Sequence, residues 1–81
     1  MVARRNHLVR MRIAQALSDG EWHSVDYIKD RFITNGWSFL NGPQLAQLCR
    51  GTVGIEKRHL RNRDPEFRLV RPAQFYQWMQ T

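Results

Sequence analysis

Between Arg50 and Arg71 the chain carries seven cations, Arg50, Lys57, Arg58, Arg61, Arg63, Arg68 and Arg71, against the three acids Glu56, Asp64 and Glu66. A second group, Arg4, Arg5, Arg10 and Arg12, has no acid among residues 1–12. Residues 13–49 reverse the sign, with Lys29 and Arg31 set against Asp19, Glu21, Asp26 and Asp30. The whole sequence has thirteen Lys and Arg, seven Asp and Glu, and a net charge of +6; Lys29 and Lys57 are its only lysines. Such residues recognise anions. A guanidinium is planar and weakly hydrated, and it grips a phosphate or a guanine edge with paired N–H donors. Each phosphate neutralised on a nucleic acid releases condensed counterions, which supplies most of non-specific affinity. Arginines that merely solvate a small surface are the other reading. Two basic clusters separated by an acidic stretch favour the phosphate reading.

Other chemistry finds less support. His7, His23 and His59 lie far apart, with no Cys or carboxylate at metal-ligand spacing, so no metal site is expected. Cys49 is the only cysteine, which excludes an internal disulfide. It falls on the apolar side of an expected helix, where a small buried hydrophobe is the expected role. No glycine-rich phosphate loop leads into a helix, and no Ser-His-Asp motif occurs. The sequence therefore points away from an enzyme, a cofactor and a small-molecule substrate. No apolar run approaches the roughly 18 residues a membrane helix requires. Met1 to Arg12 has neither an apolar core nor a small-residue cleavage site, so a cytoplasmic or nucleoid-associated protein is expected.

These side chains need a scaffold, and 81 residues suffice for one domain with one modest core. Hydrophobic residues at 42% and charged residues at 25% match a folded chain. Residues 1–5 form a basic lead-in, and Asn6 is placed to cap a helix reaching about Ser18, with Val9, Ile13, Ala16 and Leu17 as its buried stripe. Arg5, Arg10 and Arg12 fall off that stripe, toward water or phosphate. Asp19-Gly20 ends the helix, glycine being suited to the left-handed backbone beyond a C-terminus. Glu21-Trp22-His23 allows one β-bridge. Ser24 caps a second helix, Val25 to Ile33, with Val25, Ile28 and Phe32 inward. Asn41 caps a third over residues 42–50, where Pro43 fits the first turn. Leu45, Leu48 and Cys49 point inward; Gln44, Gln47 and Arg50, spaced by three, share an outward face. Gly51 to Gly54 is a flexible link into a hairpin, Ile55–Leu60 and Phe67–Val70, whose inward face the mixed pattern leaves open. Pro72 stops the sheet, and residues 72–81 hold a short aromatic final helix. Trp22 and Trp37 either stack on bases or fill the core, and a domain this small needs them in the core.

Helix, short strand segment, two helices and basic hairpin, in that order, resemble a winged helix-turn-helix domain. Asp19-Gly20-Glu21-Trp22-His23-Ser24-Val25-Asp26-Tyr27-Ile28 looks like that family's strand leading into the second helix. Gly42-Pro43-Gln44-Leu45-Ala46-Gln47-Leu48 is similar to its recognition helix, and Val53-Gly54-Ile55-Glu56-Lys57-Arg58 to the start of its wing. The resemblance implies an α+β fold, a three-helix core with a C-terminal β-hairpin wing and a short final helix. It implies a double-stranded DNA partner, with residues 42–50 in the major groove and 55–71 on backbone or minor groove. Gln44, Gln47 and Arg50 would then contact bases. Ser38, Asn41, Lys57, Arg58, Arg61, Arg63, Arg4 and Arg5 would contact backbone. Gln pairs bidentately with adenine and Arg with guanine, while Asn41 serves equally as a cap alone. Asp64 and Glu66 either orient Arg61 and Arg63 or weaken their phosphate contacts. A small transcriptional regulator is the expected function. A protein-interaction module or assembly factor, and a sequence-neutral architectural DNA binder, remain open. The final helix either covers the first helix within one chain or pairs with its copy in a homodimer, with Leu8 and Met11 as further apolar surface.

Overall fold

A computed structural model describes residues 6–80. The elements run α1 (His7–Ala16), β1 (His23–Ser24), α2 (Val25–Thr34), α3 (Gly42–Arg50), β2 (Ile55–Arg58), β3 (Glu66–Leu69) and α4 (Pro72–Met79). This is an α+β arrangement with an antiparallel sheet ordered β1-β3-β2. The segment before α2 thus pairs with the far strand of the hairpin, His23 opposite Phe67 and Ser24 opposite Glu66. Within the hairpin Ile55 faces Leu69 and Arg58 faces Glu66.

One core joins every layer: Ile13 and Leu17, Ile28 and Phe32, Leu45 and Cys49, Phe67, Phe75 and Met79 are all buried together. Burial of Phe67 and Leu69 resolves the alternation of β3, because Glu66 and Arg68 then fall on the opposite face of the sheet. The strands are shorter than their sequence suggested, and residues 59–65 form the hairpin tip.

Capping explains where α2 and α3 begin. The Ser24 hydroxyl accepts from the Tyr27 amide at 3.3 Å. Asn41 Oδ1 accepts from the Gln44 amide at 2.8 Å. Helix α1 starts differently: Asn6 occupies the cap position with φ 57° and makes no side-chain capping bond. Its carbonyl accepts from the Arg10 amide at 2.9 Å. The helix also ends at Ala16, short of Ser18, while α2 continues to Thr34. There Asn35 Nδ2 donates to the Arg31 carbonyl at 2.7 Å.

The link 51–54 is anchored where flexibility was expected. Thr52 is buried. Its hydroxyl donates to the Leu48 carbonyl at 2.5 Å and accepts from an Arg10 guanidinium nitrogen at 2.6 Å. The same nitrogen donates to the Gly51 carbonyl at 3.0 Å. Arg10 therefore turns inward to tie α1 to the end of α3, and does not face water as its place off the apolar stripe suggested. Two residues on, the Gly54 carbonyl accepts from the amides of Val70 (2.9 Å) and Arg71 (3.2 Å). Gly54 has φ +93°, and a Cβ there would lie 2.8 Å from the Arg71 carbonyl oxygen and 2.9 Å from Phe75 Cβ. The first turn of α4 sits directly on this glycine. Phe75 and Met79 are buried within the same chain, while Leu8 and Tyr76 stay exposed. The Arg10 guanidinium also lies 5.3 Å from the centre of the Trp78 ring.

Candidate functional site

Helix α3 buries Leu45, Leu48 and Cys49. At 3.6 residues per turn, the opposite side carries Pro43, Gln47 and Arg50, all exposed and spaced i, i+4, i+7. This stripe keeps Gln47 and Arg50 of the expected trio; a spacing of three turns each successive residue about 60° around the axis, which sets Gln44 to one side of it. Gln44 is half-buried, and its Oε1 accepts from the Leu40 amide at 2.9 Å. Together with the Asn41–Gln44 amide bond this resembles a capping box, except that the Gln44 side chain accepts from the amide of Leu40, one residue before the N-cap, and not from that of Asn41. The Asn41-x-x-Gln44 spacing was the overlooked signal. Asn41 spends its side-chain oxygen on the cap, and Ser38 is exposed in the connector.

Gln47 and Arg50 face different grooves. Gln47 borders one of about 480 Å³ together with Gln44, Asn6, Arg10 and Gly51. Arg50 borders another of about 290 Å³, whose lining combines Asp26 and Pro43 with Asp64 and Pro65 of the hairpin tip. The exposed side of α3 and the hairpin tip thus frame one groove, with acids on its rim.

The hairpin separates into a fastened stem and an open tip. Glu56, Arg58, Glu66 and Arg68 project from the sheet face away from the core. There Arg58 Nε lies 2.8 Å from Glu66 Oε1, and an Arg68 terminal nitrogen lies 3.2 Å from Glu56 Oε1. Both guanidiniums stack on Trp22, each 4.5 Å from its ring centre. Trp22 therefore belongs to the outer sheet face and not to the core. Trp37 does meet the core, edge-on to Phe32 at 5.5 Å, with the Arg12 guanidinium 5.5 Å from its ring centre. Arg58 is engaged by Glu66 and Trp22. Glu66, expected beside Arg61 and Arg63, pairs with Arg58 instead. Lys57, Arg61 and Arg63 are exposed, and none enters an ion pair among the described residues. The tip turns through Asn62 (φ 62°), with the Arg63 amide donating to the Leu60 carbonyl at 3.1 Å. Arg63 also lines a cleft of about 560 Å³ with Ser24 and His59. Arg4 and Arg5 lie outside the described residues.

Asp19, His23 and Cys49 are engaged within the fold. The Glu21 amide, 3.0 Å from an Asp19 oxygen, holds the Asp19 carboxyl below its ordinary 3.8, and the His23 ring adds to this. His23 Nε2 lies 2.8 Å from Asp19 Oδ2, and its ring stacks on Tyr27 at 3.7 Å. Burial pushes the Cys49 thiol from 9.0 up to about 12, against the opposing charge of Arg50. No group of three or more metal-ligating side chains gathers among the described residues. No helix there is long and apolar enough to cross a membrane. Comparison with known protein families, curated proteins and solved structures finds no match to this chain.

Proposed function

We propose that the chain is a winged-helix domain that binds double-stranded DNA, acting as a small transcriptional regulator in the cytoplasm or on the nucleoid. Helix α3 enters the major groove and the hairpin 55–71 serves as a wing on backbone or minor groove. One observation carries this reading: the exposed side of α3 and the hairpin tip border a single groove, and exposed cations stand on both. Gln47 and Arg50 are the base-reading side chains, since Gln matches adenine and Arg guanine. Gln44 holds the helix start. Lys57, Arg61 and Arg63 meet phosphates, with Arg4 and Arg5 as further basic contacts from the lead-in. Arg58 acts indirectly by fixing the stem.

The test is duplex titration at several salt concentrations. Affinity should fall with salt on a log-log plot, by a slope of about 0.9 per phosphate neutralised. Arg61→Ala and Arg63→Ala should each lower that slope by about one. A slope near zero refutes the reading. Equal affinity for random and selected duplexes would leave a sequence-neutral architectural binder.

A second reading, a protein-interaction module or assembly factor, is favoured by the exposed apolar side chains Leu8 on α1 and Tyr76 on α4. The same surface would serve a homodimer through the first and last helices. Tyr76→Ala would then disrupt the complex and leave DNA affinity unchanged.

A further inference from the structure

The two grooves that flank α3 differ in charge. The one shared with the hairpin tip carries Asp26 and Asp64 beside Arg50. The other, between α1 and α3, is bordered by Asn6, Arg10, Gln44, Gln47, Leu48 and Gly51, and no acid borders it among the described residues. Carboxylates repel a phosphate from the first groove and leave the second open to one. The second groove also gathers three side-chain amides, and their hydrogen bonds decide what they can bind. Gln44 Oε1 already accepts from the Leu40 amide at 2.9 Å. Its Nε2 group keeps two hydrogens and has no partner among the described residues, so Gln44 faces a ligand as a donor only. In that state it cannot make the paired donor and acceptor match to adenine. Asn6, at the start of α1, makes no side-chain capping bond. The Gln47 side chain likewise has no partner among the described residues. The Arg10 guanidinium adds a positive charge, held in place by its bonds to Gly51 and Thr52.

From this arrangement we infer that the groove between α1 and α3 is a phosphate subsite: it seats one phosphodiester of the bound duplex, with the Gln44 and Asn6 amides donating to its oxygens. The inference rests on the duplex-DNA reading above and adds a backbone contact to it. A phosphodiester offers acceptor oxygens and no hydrogen, which is the complement of a donor-only amide. Bonds of this kind from Asn and Gln side chains fix the register of a protein on the duplex. Gln47 differs, because both ends of its amide are available. It remains the base reader, about 4.5 Å further along α3 than Gln44. Gln44 thus serves twice, its oxygen at the helix start and its nitrogen on the backbone.

The test uses the full chain and a duplex selected from a random pool, remade with a neutral methylphosphonate in place of one phosphate at a time. Each duplex is titrated with the unaltered protein, with Asn6→Gly and with Gln44→Glu. Glycine accepts the φ of 57° that Asn6 adopts, and glutamate keeps an oxygen for the Leu40 amide. Asn6→Gly should weaken binding to unmodified DNA about tenfold, the scale of one hydrogen bond to a charged group. Its salt slope should stay unchanged, because no cation is lost. Gln44→Glu should weaken binding further by repulsion. At one position the methylphosphonate should weaken the unaltered protein yet strengthen Gln44→Glu, since it removes the charge that the glutamate meets. Profiles of the same shape for all three proteins overturn the inference and leave DNA binding intact. A changed base preference in Gln44→Glu, with no reversal at any phosphate, makes Gln44 a base contact and also refutes the subsite. If Gln44→Glu does not fold, Asn6→Gly decides alone, by losing or keeping sensitivity at one position. If no duplex binds, the inference and the reading beneath it fall together.

Discussion

A single methyl group added at Gly54 tests whether the seat of α4 is as close as described. Two costs apply to Gly54→Ala. The residue has φ +93°, where an L side chain is strained by roughly 1–2 kcal/mol. The new Cβ would also stand 2.8 Å from the Arg71 carbonyl oxygen and 2.9 Å from Phe75 Cβ. Ordinary contacts between carbons lie near 3.5–4.0 Å, so the start of α4 must move by roughly half an ångström or more. Neither neighbour is the end of a flexible side chain, and Phe75 is fully buried. Forced overpacking of this kind costs about 1–3 kcal/mol. The expected loss is therefore about 2–5 kcal/mol, against about 1–2 kcal/mol for Gly20→Ala, where φ is +74° and nothing lies within 4 Å of the new Cβ. At about 4–8 °C per kcal/mol for a domain of this size, the two variants should differ by several degrees or more. Thermal melts followed by circular dichroism, with urea unfolding as a second measure, give the comparison. Equal destabilisation of the two variants would refute the close seating of α4.

Thr52→Val should destabilise by about 1–3 kcal/mol in urea unfolding, because it removes the bond to the Leu48 carbonyl and leaves Arg10 without its hydroxyl acceptor. Gln44→Ala should lower stability by about 1 kcal/mol through the cap, whereas Gln47→Ala should leave the melting curve nearly unchanged and alter base preference, as paired melts and duplex titrations can check. Cys49 should resist alkylation at neutral pH until the protein unfolds, since its thiol is buried and its pKa lies near 12. A raised thiol pKa makes the folded state hold its proton longer than the unfolded chain. This contribution is intact below the ordinary 9.0 and is lost as pH rises toward 12, at about 1.4 kcal/mol per pH unit. Cys49→Ala should flatten that alkaline slope in unfolding titrations, and an unchanged slope would contradict the burial.

Much of the fold was legible because local chemistry and core demand agreed. Ser24 and Asn41 are short polar residues directly before apolar periodicity, and both cap helices. The inward Ile28, Phe32, Leu45, Leu48 and Cys49 followed from helical spacing alone. What escaped depended on partners distant in sequence. Arg10 looked outward because its helix is apolar on another side; its partners, Gly51 and Thr52, lie about forty residues away. Trp22 looked like core because large aromatics commonly fill small domains, yet two arginines brought together by strand register hold it outside. Gln44 is divided: it borders a groove with Gln47, as a spacing of three suggests, while its side-chain oxygen accepts from the Leu40 amide, a bond that the spacing does not reveal. Arg61 and Arg63 were correctly expected on an exposed tip, since only their surroundings had to be polar.

The fastening of the stem also bears on the entropy of any encounter. Trp22 and the paired residues of β2 and β3 act as a splint, so a ligand arriving at residues 59–65 meets a support that is already ordered. Ordering one flexible residue costs about 1–2 kcal/mol. That loss is confined to the tip and does not extend down the hairpin. Trp22→Ala would lengthen the span that must freeze on binding. Its signature would be a more unfavourable binding entropy with little change in salt slope, because no charge has been removed.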